Sequence, residues 1–105
     1  MDTLAKLKIM LGIAVEDTSQ DPELELLLDD THTDLLTWTN RLTLPAPLES
    51  IQRQIAVMRY NKQGVEGQAS HSEGGIGRSF EDLPVSMQAA INQYRKLKVA
   101  SYETT

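Results

Sequence analysis

The sequence contains no cysteine, which excludes disulfide bonds and thiolate metal sites. A chain without cysteine suits a reducing compartment, so we expect it to be made in the cytosol. No apolar run approaches the roughly 20 residues needed to span a bilayer. The first residues lack a basic stretch, and Lys6, Lys8 and Gly12 interrupt the apolar residues that follow. Neither a signal peptide nor a membrane segment is therefore expected.

Positive charge is also scarce. The 105 residues include 10 Lys and Arg against 15 Asp and Glu, and the formal net charge is -5. An acidic surface repels the phosphate backbone, which argues against DNA as the principal ligand without excluding DNA that passes nearby. The length fits a single domain, residues 1–105, with one modest core.

Apolar residues recur at steps of three and four along the chain, and this spacing predicts an all-α fold. The first helix covers about residues 3–11, where Gly12 stops it. The second runs from Asp21, a suitable N-cap, to about Asn40, with Pro22 in the first helical position. The core-facing stripe predicted on this second helix consists of Leu24, Leu27, Leu28, Thr31, Leu35 and Trp38.

Two further helices follow a proline-rich turn at residues 44–47. The third covers about residues 48–62, with Gly64 as its predicted C-cap. Its predicted stripe is Leu48, Ile51, Ile55 and Met58, while Arg53, Arg59 and Lys62 take the other faces. The fourth begins near residues 82–84 and frays after Val99, and its predicted stripe is Met87, Ala90, Ile91, Tyr94 and Leu97. The fold class predicted is therefore a small bundle of about four helices.

Residues 65–79, VEGQASHSEGGIGRS, are rich in glycine and serine and show no helical period. A loop of this length is usually functional or disordered, and we interpret it as a flexible interaction loop. A short β-hairpin within it is an open alternative. The loop resembles a P-loop only at Gly77, Arg78 and Ser79, because the first glycine and the lysine of that motif are missing. The dinucleotide fingerprint also fails, because Phe80 occupies its third glycine position.

No constellation typical of catalysis or cofactor binding is evident. His32 and His71 have no second histidine at ligand spacing, so no metal site is predicted. Ser70 and Ser72 flank His71, but nucleophilic catalysis requires converging groups and an oxyanion site that a polar loop does not supply. The carboxylates, Asp21 among them, are interpreted as caps and solvated groups. We expect a protein that is not an enzyme and holds no cofactor.

The basic residues give only a weak nucleic-acid signal. Arg95, Lys96 and Lys98 cluster in the predicted fourth helix, and Lys6 and Lys8 in the first. We interpret both groups as dipole compensation and solubility.

Recognition of other proteins is the remaining class. The loop offers a segment that could order on contact with a neighbour, and Phe80 could anchor it in a pocket or join the core. The polar tail at residues 100–105 is a second docking candidate, because termini are often disordered until tied down. The predicted contact residues are Gly67, Ser70, Ser72, Gly74, Gly75, Ile76, Gly77, Arg78 and Phe80 in the loop, and Ser101, Tyr102 and Glu103 in the tail.

The order and spacing of several motifs resemble the head–tail connector, or adaptor, family of tailed bacteriophages. These motifs are DPELELLL at 21–28, LP at 44–45, YNKQGVEG at 60–67, the Ser/Gly loop, and FEDLP at 80–84. The resemblance covers nearly the whole chain. It implies a structural subunit of a virion, assembled in the host cytoplasm and placed at the head–tail junction.

The resemblance also implies partners. The subunit would form a closed ring of about twelve copies under the portal protein, with DNA passing through the centre without sequence-specific binding. The ring would extend the DNA channel and offer a platform to the next head-completion or tail protein. The alternative from another class is a free-standing helical regulatory or adaptor module that binds one protein or DNA partner.

Overall fold

The computed structural model describes residues 1–66 and 79–96, and these ranges contain four α-helices and no strand. The helices are α1 (Thr3–Leu11), α2 (Asp21–Thr39), α3 (Leu48–Glu66) and α4 (Val85–Asn92), and a 3-10 turn at Phe80–Asp82 precedes α4. α2 packs against all three other helices, most extensively against α3. The predicted all-α bundle of about four helices is confirmed.

The predicted ends of α1 and α2 match the structure closely. The Asp2 carboxylate accepts a hydrogen bond from the Ala5 N–H at 2.8 Å and caps the start of α1. Gly12 ends α1 in the left-handed region, at φ 78°, where a residue without Cβ is unstrained. Asn40 adopts the same region at φ 58° and ends α2, which is the second most common choice for this position.

The start of α2 differs from the prediction in one respect. Gln20, not Asp21, is the N-cap, and Asp21 is the first helical residue. The Asp21 carboxylate instead lies 2.6 Å from the Lys8 ammonium of α1. An acidic group in the first turn also complements the helix dipole, so Asp21 stabilises α2 without capping it.

The core divides into two clusters along α2 and α3. The first lies at the N-terminal half of α2, where α1 packs, and contains Leu7, Leu24, Leu27, Leu28 and Ala56. The second lies at the C-terminal half of α2, where α4 packs, and contains Leu35, Ile55, Leu83 and Ile91. The predicted stripe of α2 is buried at every position except Trp38, which is half-buried against the second cluster.

α3 is longer than predicted. It continues past Lys62 to Glu66, so that Gly64 lies inside the helix and is not its C-cap. A single internal glycine costs only about 1 kcal/mol relative to alanine, which the surrounding helical hydrogen bonds can offset. Val65 and Glu66 therefore belong to α3 and not to the loop. The rest of the predicted loop and the hairpin considered for it, at residues 67–78, lie outside the described residues.

α4 is shorter than predicted and ends at Asn92. Tyr94 lies in the turn that follows, and the chain then meets the C-terminal end of α2. The Lys96 N–H donates to the Thr39 carbonyl at 2.8 Å, and the Asn40 Nδ2 donates to the Lys96 carbonyl at 2.9 Å. The last carbonyls of a helix have no partner within it, so the end of α2 provides acceptors that compete with continuation of α4. Leu97 and Val99 lie outside the described residues.

Two cations that were predicted on solvated faces are buried. Lys8 is 3% exposed and Arg59 is 4% exposed. Besides its contact with Asp21, the Lys8 ammonium donates to the Val15 carbonyl at 3.1 Å. The Arg59 guanidinium forms a 2.8 Å ion pair with Asp34 and donates to the Thr31 hydroxyl at 3.2 Å. Each cation is therefore compensated by a carboxylate and a hydrogen bond, as burial of a charge requires.

Truncation of one residue in each cluster tests this assignment of the core. We expect Leu28→Ala and Ile55→Ala each to lower the free energy of unfolding by roughly 2–5 kcal/mol, as for other buried truncations of this size. Leu42→Ala is the matched control, because Leu42 is 95% exposed and its truncation should change stability by less than about 0.5 kcal/mol. Urea denaturation of the three variants measures the difference. A cost near zero at Leu28 or Ile55 would contradict the packing described for that cluster.

Candidate protein-interaction surfaces

A groove of about 400 Å³ lies between the N-terminal half of α2 and the C-terminal half of α3. We call it the α2–α3 groove. Its volume is in the range of cavities that accept small ligands, and a few apolar side chains of a partner would fill it. It is lined by Gln20, Glu23, Leu26, Leu27, Asp30, Tyr60 and Gln63.

Helical spacing explains how the lining residues come together. Glu23, Leu27 and Asp30 recur at steps of four and three on α2, and Tyr60 and Gln63 are three apart on α3, so each set shares one face of its helix. The Tyr60 hydroxyl donates to the Gln20 Oε1 at 2.7 Å and ties the two walls together. Leu26 remains 60% exposed. The groove thus combines apolar surface with two acidic side chains.

The α1–α2 turn and the N-terminal half of α2 are acidic on their surface, whereas Lys6 of α1 and Lys62 of α3 are exposed cations. No Lys or Arg occurs between residues 9 and 40, and Lys8 and Arg59 compensate Asp21 and Asp34 there. The carboxylates left exposed in this region are Glu16, Asp17, Glu23, Glu25 and Asp29. This region forms what we call the acidic end of the bundle.

One carboxylate of the acidic end is held by local contacts. In the turn between α1 and α2, the Ser19 N–H and the Ser19 hydroxyl donate to the Asp17 Oδ1 at 3.0 and 2.7 Å. Hydrogen bonds to the charged form stabilise it, so they lower the pKa of Asp17 below its ordinary value. Asp17 therefore keeps its negative charge under all conditions near neutral pH.

Basic residues gather at the opposite end of α2. Arg95 and Lys96 are exposed beside Asn40 and Thr39, and the Arg41 Nε donates to the Tyr94 carbonyl. We call Arg41, Arg95 and Lys96 the basic end. Cations are favoured near a helix C-terminus, and here they stand at the C-terminus of α2, not in the last turns of α4 as predicted. The 19 residues of α2 correspond to about 28 Å, so the bundle carries opposite charges at well-separated ends.

Phe80 is the only predicted contact residue within the described ranges, and the structure places it against the second core cluster. Its ring is half-buried and meets Trp38 edge to face, with centroids 5.5 Å apart. Such a pair contributes beyond its buried area, and it holds the start of the 3-10 turn against α2. Phe80 therefore packs with the core, and its role as an interface anchor stays a prediction.

Next to Phe80, the Ser79 hydroxyl donates to the Glu81 Oε1 at 2.6 Å. This hydrogen bond lowers the pKa of Glu81 and holds the start of the 3-10 turn. The other predicted contact residues lie outside the described residues. They are Gly67, Ser70, Ser72, Gly74, Gly75, Ile76, Gly77 and Arg78 in the loop, and Ser101, Tyr102 and Glu103 in the tail.

Across residues 1–66 and 79–96, no three His, Asp or Glu side chains are grouped so that they could hold a metal ion. In the same part of the chain, no helix is both long and apolar enough to cross a membrane.

The α2–α3 groove was not predicted from the sequence. One signal for it was present. Leu26 is a leucine off the predicted stripe of α2, set among acidic residues where a solvated side chain would be expected. Its exposure follows from that position, because it stands about 100° around the helix from Leu27 and about 160° from Leu24 and Leu28. The aromatic wall, Tyr60, gave no comparable signal because it lies close to the core face of α3.

A small all-α bundle with a groove, an acidic end and a basic end offers surfaces suited to contacts with other proteins. The family model of the phage gp6-like head-tail connector proteins matches residues 1–95, and the chain belongs to this family. The resemblance inferred from the sequence motifs is thereby confirmed. The family is structural rather than enzymatic, and a head–tail connector is a component of the phage virion. No curated protein and no solved structure matches the chain.

Proposed function

We propose that this chain is the repeating subunit of a ring that docks under the portal protein and joins the phage head to the tail. The observation that carries the proposal is membership of the connector family over residues 1–95. The ring extends the DNA channel below the portal, helps to retain packaged DNA, and presents a platform to the next head-completion or tail protein. The subunit is made in the host cytoplasm, and its final location is the head–tail junction of the virion.

The charge of the chain supports a passive role toward DNA. With a net charge of -5, the subunit repels phosphates overall, so a ring of such subunits would let DNA slide through without gripping it. The two most buried cations, Lys8 and Arg59, are neutralised within the bundle and cannot contact DNA. DNA is thus a passing occupant of the channel and not a sequence-specific ligand.

The two ends of the bundle support ring formation. A closed ring is built from heterologous contacts, in which one surface of each copy meets a different surface of the next. The acidic and basic ends provide two such surfaces on one subunit. We propose about twelve copies, with the loop at residues 67–79, Phe80 and the tail at residues 100–105 as the segments that contact neighbours or the portal.

Omission of the protein during phage assembly tests the proposal. With a stop codon early in the reading frame, we expect heads that package DNA but lose it and never acquire tails. Supplying the intact protein from a plasmid should restore infectious particles, and electron microscopy with a nuclease-protection assay of head DNA distinguishes the states. Normal tailed virions formed without the protein would overturn the proposal.

A further inference from the structure

We propose that the α2–α3 groove of each copy holds the segment that follows the basic end of the next copy, residues 97–105. This inference rests on the ring subunit proposed above and names the contact between its neighbours. The occupant is a second copy of this chain.

The groove has a chemistry that selects a basic and apolar partner. Leu26 and Leu27 supply apolar surface, and Glu23 and Asp30 stand on either side of them on the same helix. Seven residues of helix separate the two carboxylates by about 10 Å. A strand-like segment of a few residues that carries both apolar side chains and cations could contact the apolar surface and the two carboxylates.

The sequence after the basic end has this alternation. Leu97 and Val99 alternate with Lys96 and Lys98. In an extended chain, alternate side chains point to opposite sides, so Leu97 and Val99 could enter the groove together, and the long side chains of the lysines on the other side would have to bend back to reach the carboxylates at the rim. The exposed Arg95 and Lys96 would bring further positive charge toward the acidic end of the neighbour.

Distance assigns Leu97 and Val99 to the groove of a neighbour and not to that of their own copy. The backbone of Lys96 is hydrogen-bonded at Thr39 and Asn40. Leu26 lies 13 positions before Thr39 on α2, a separation of about 20 Å along the helix. Val99 is only three residues beyond Lys96 and can reach about 10 Å from it in a fully extended chain. Leu97 and Val99 therefore fall short of their own groove.

The contact also has the geometry that a ring requires. It joins the basic end of one copy to the acidic end of the next, so the two surfaces differ and the contact repeats in one direction. An isologous antiparallel dimer could pair the same ends, but its two contacts are reciprocal and it closes at two copies, so linkage beyond the dimer is what identifies a ring. Because the contact is electrostatic at its rim, raising the salt concentration should weaken it.

The absence of cysteine from the chain permits a direct test in assembled particles. One cysteine is introduced at Gln63, on the wall of the groove, and one at Ala100, next to the apolar pair of the segment. Particles carrying Gln63→Cys and Ala100→Cys in every copy are assembled under reducing conditions and then oxidised. On a non-reducing gel, we expect a ladder from linked dimers up to the full ring. The matched control pairs Ala100→Cys with Ile9→Cys, which is exposed on α1 and does not line the groove, and should give no ladder.

The alternative occupants give different results. A fast-migrating linked monomer would place the segment in its own groove and overturn the neighbour contact. Particles that contain the protein but show no ladder would overturn the proposal and leave the groove to another segment of this chain or to the portal. Failure of the connector function would appear separately, as normal virions when the protein is omitted.

A charge exchange keeps the proposal testable if the cysteine variant does not assemble. Glu23→Lys should reduce the incorporation of the protein into particles, because it places a cation beside the incoming Lys98. Lys98→Glu in the same chain should restore incorporation, while each single change impairs it. Circular dichroism of the purified variants checks that all of them fold. Absence of rescue in the double variant, with all proteins folded, would contradict the pairing.

Discussion

Replacing residues 67–77 with a Gly/Ser linker of the same length is expected to leave a folded helical protein that no longer assembles. We expect the two core clusters along α2 and α3 to hold the bundle together without the side chains of this segment. Stability should therefore change by no more than about 0.5 kcal/mol, as for substitutions away from the core. Incorporation into phage particles should be lost, because the segment is proposed to contact a neighbouring protein.

The equal length of the linker matters, because it keeps the entropy of joining α3 to Phe80 nearly constant. A plain deletion of residues 67–77 would force Glu66 and Ser79 together and could disturb the Trp38–Phe80 contact for reasons unrelated to binding. Circular dichroism and thermal unfolding of the purified variant measure folding, and blotting of purified particles measures incorporation. Loss of the helical signal would show that the segment belongs to the core. Normal incorporation would show that its side chains make no essential contact.

The sequence predicted the helices most reliably where a stripe and a terminal signal agreed. α1 and α2 have apolar residues at regular spacing and a residue at the C-terminus that tolerates the left-handed region, Gly12 and Asn40. Those features act locally, so they can be read from the chain alone. The stripe of α2 predicted its buried face, including Thr31, whose hydroxyl donates to the Leu27 carbonyl at 2.7 Å.

The ends of α3 and α4 were predicted wrongly because tertiary contacts and helix continuity outweighed local signals. Gly64 is a weak stop when nothing else terminates the helix, since its cost is only about 1 kcal/mol. α4 showed an apolar pattern beyond Asn92, but the end of α2 offers hydrogen-bond acceptors to Lys96. That competition depends on the approach of residues 39 and 96, which no local pattern reveals.

Burial of Lys8 and Arg59 was missed because charge was taken as a sign of exposure. Spacing alone would have placed Arg59 correctly, because it stands four residues after Ile55 and three after Ala56, both fully buried. A residue at that spacing shares their face of the helix. The compensating carboxylates come from other helices, Asp21 and Asp34 of α2. Only packing brings them within reach.

The candidate interface also combines features that could be predicted from the sequence with features that could not. Sequence patterns indicated a protein-binding module and its family, because the order of the motifs can be read from the sequence without the fold. The α2–α3 groove and the separation of charge between the two ends of α2 arise from packing. Arg41 and Lys96 are far apart in sequence, yet both lie at the end of α2. The surfaces that suit a ring contact are therefore a property of the folded bundle.

The largest loss of stability is expected from Asp34→Ala. Arg59 is almost fully enclosed, and Asp34 lies 2.8 Å from its guanidinium with 17% of its side chain exposed. Removing one partner of a buried ion pair reduces the compensation of the remaining charge, and the loss is typically about 3–5 kcal/mol when no other partner remains. The Thr31 hydroxyl still accepts from Arg59, which places the expected loss toward the lower part of that range. Urea unfolding of the purified protein measures it.

Arg59→Met distinguishes two contributions to the free energy of unfolding. One is the cost of burying the Arg59 charge without Asp34, and the other is the net stabilisation that the Arg59–Asp34 ion pair provides. Methionine keeps an apolar stem of similar reach and removes the buried charge, and the partly exposed Asp34 can still contact water. We therefore expect Arg59→Met to be less destabilising than Asp34→Ala. Adding Arg59→Met to Asp34→Ala should recover part of the loss, because the double variant removes the buried charge that Asp34 compensates. Equal losses in both single variants and no recovery in the double variant would mean that the volume of Arg59, and not its charge, is what α2 and α3 require. Recovery of stability in the double variant would instead show that the hydrophobic contacts between α2 and α3 hold the two helices together without the ion pair.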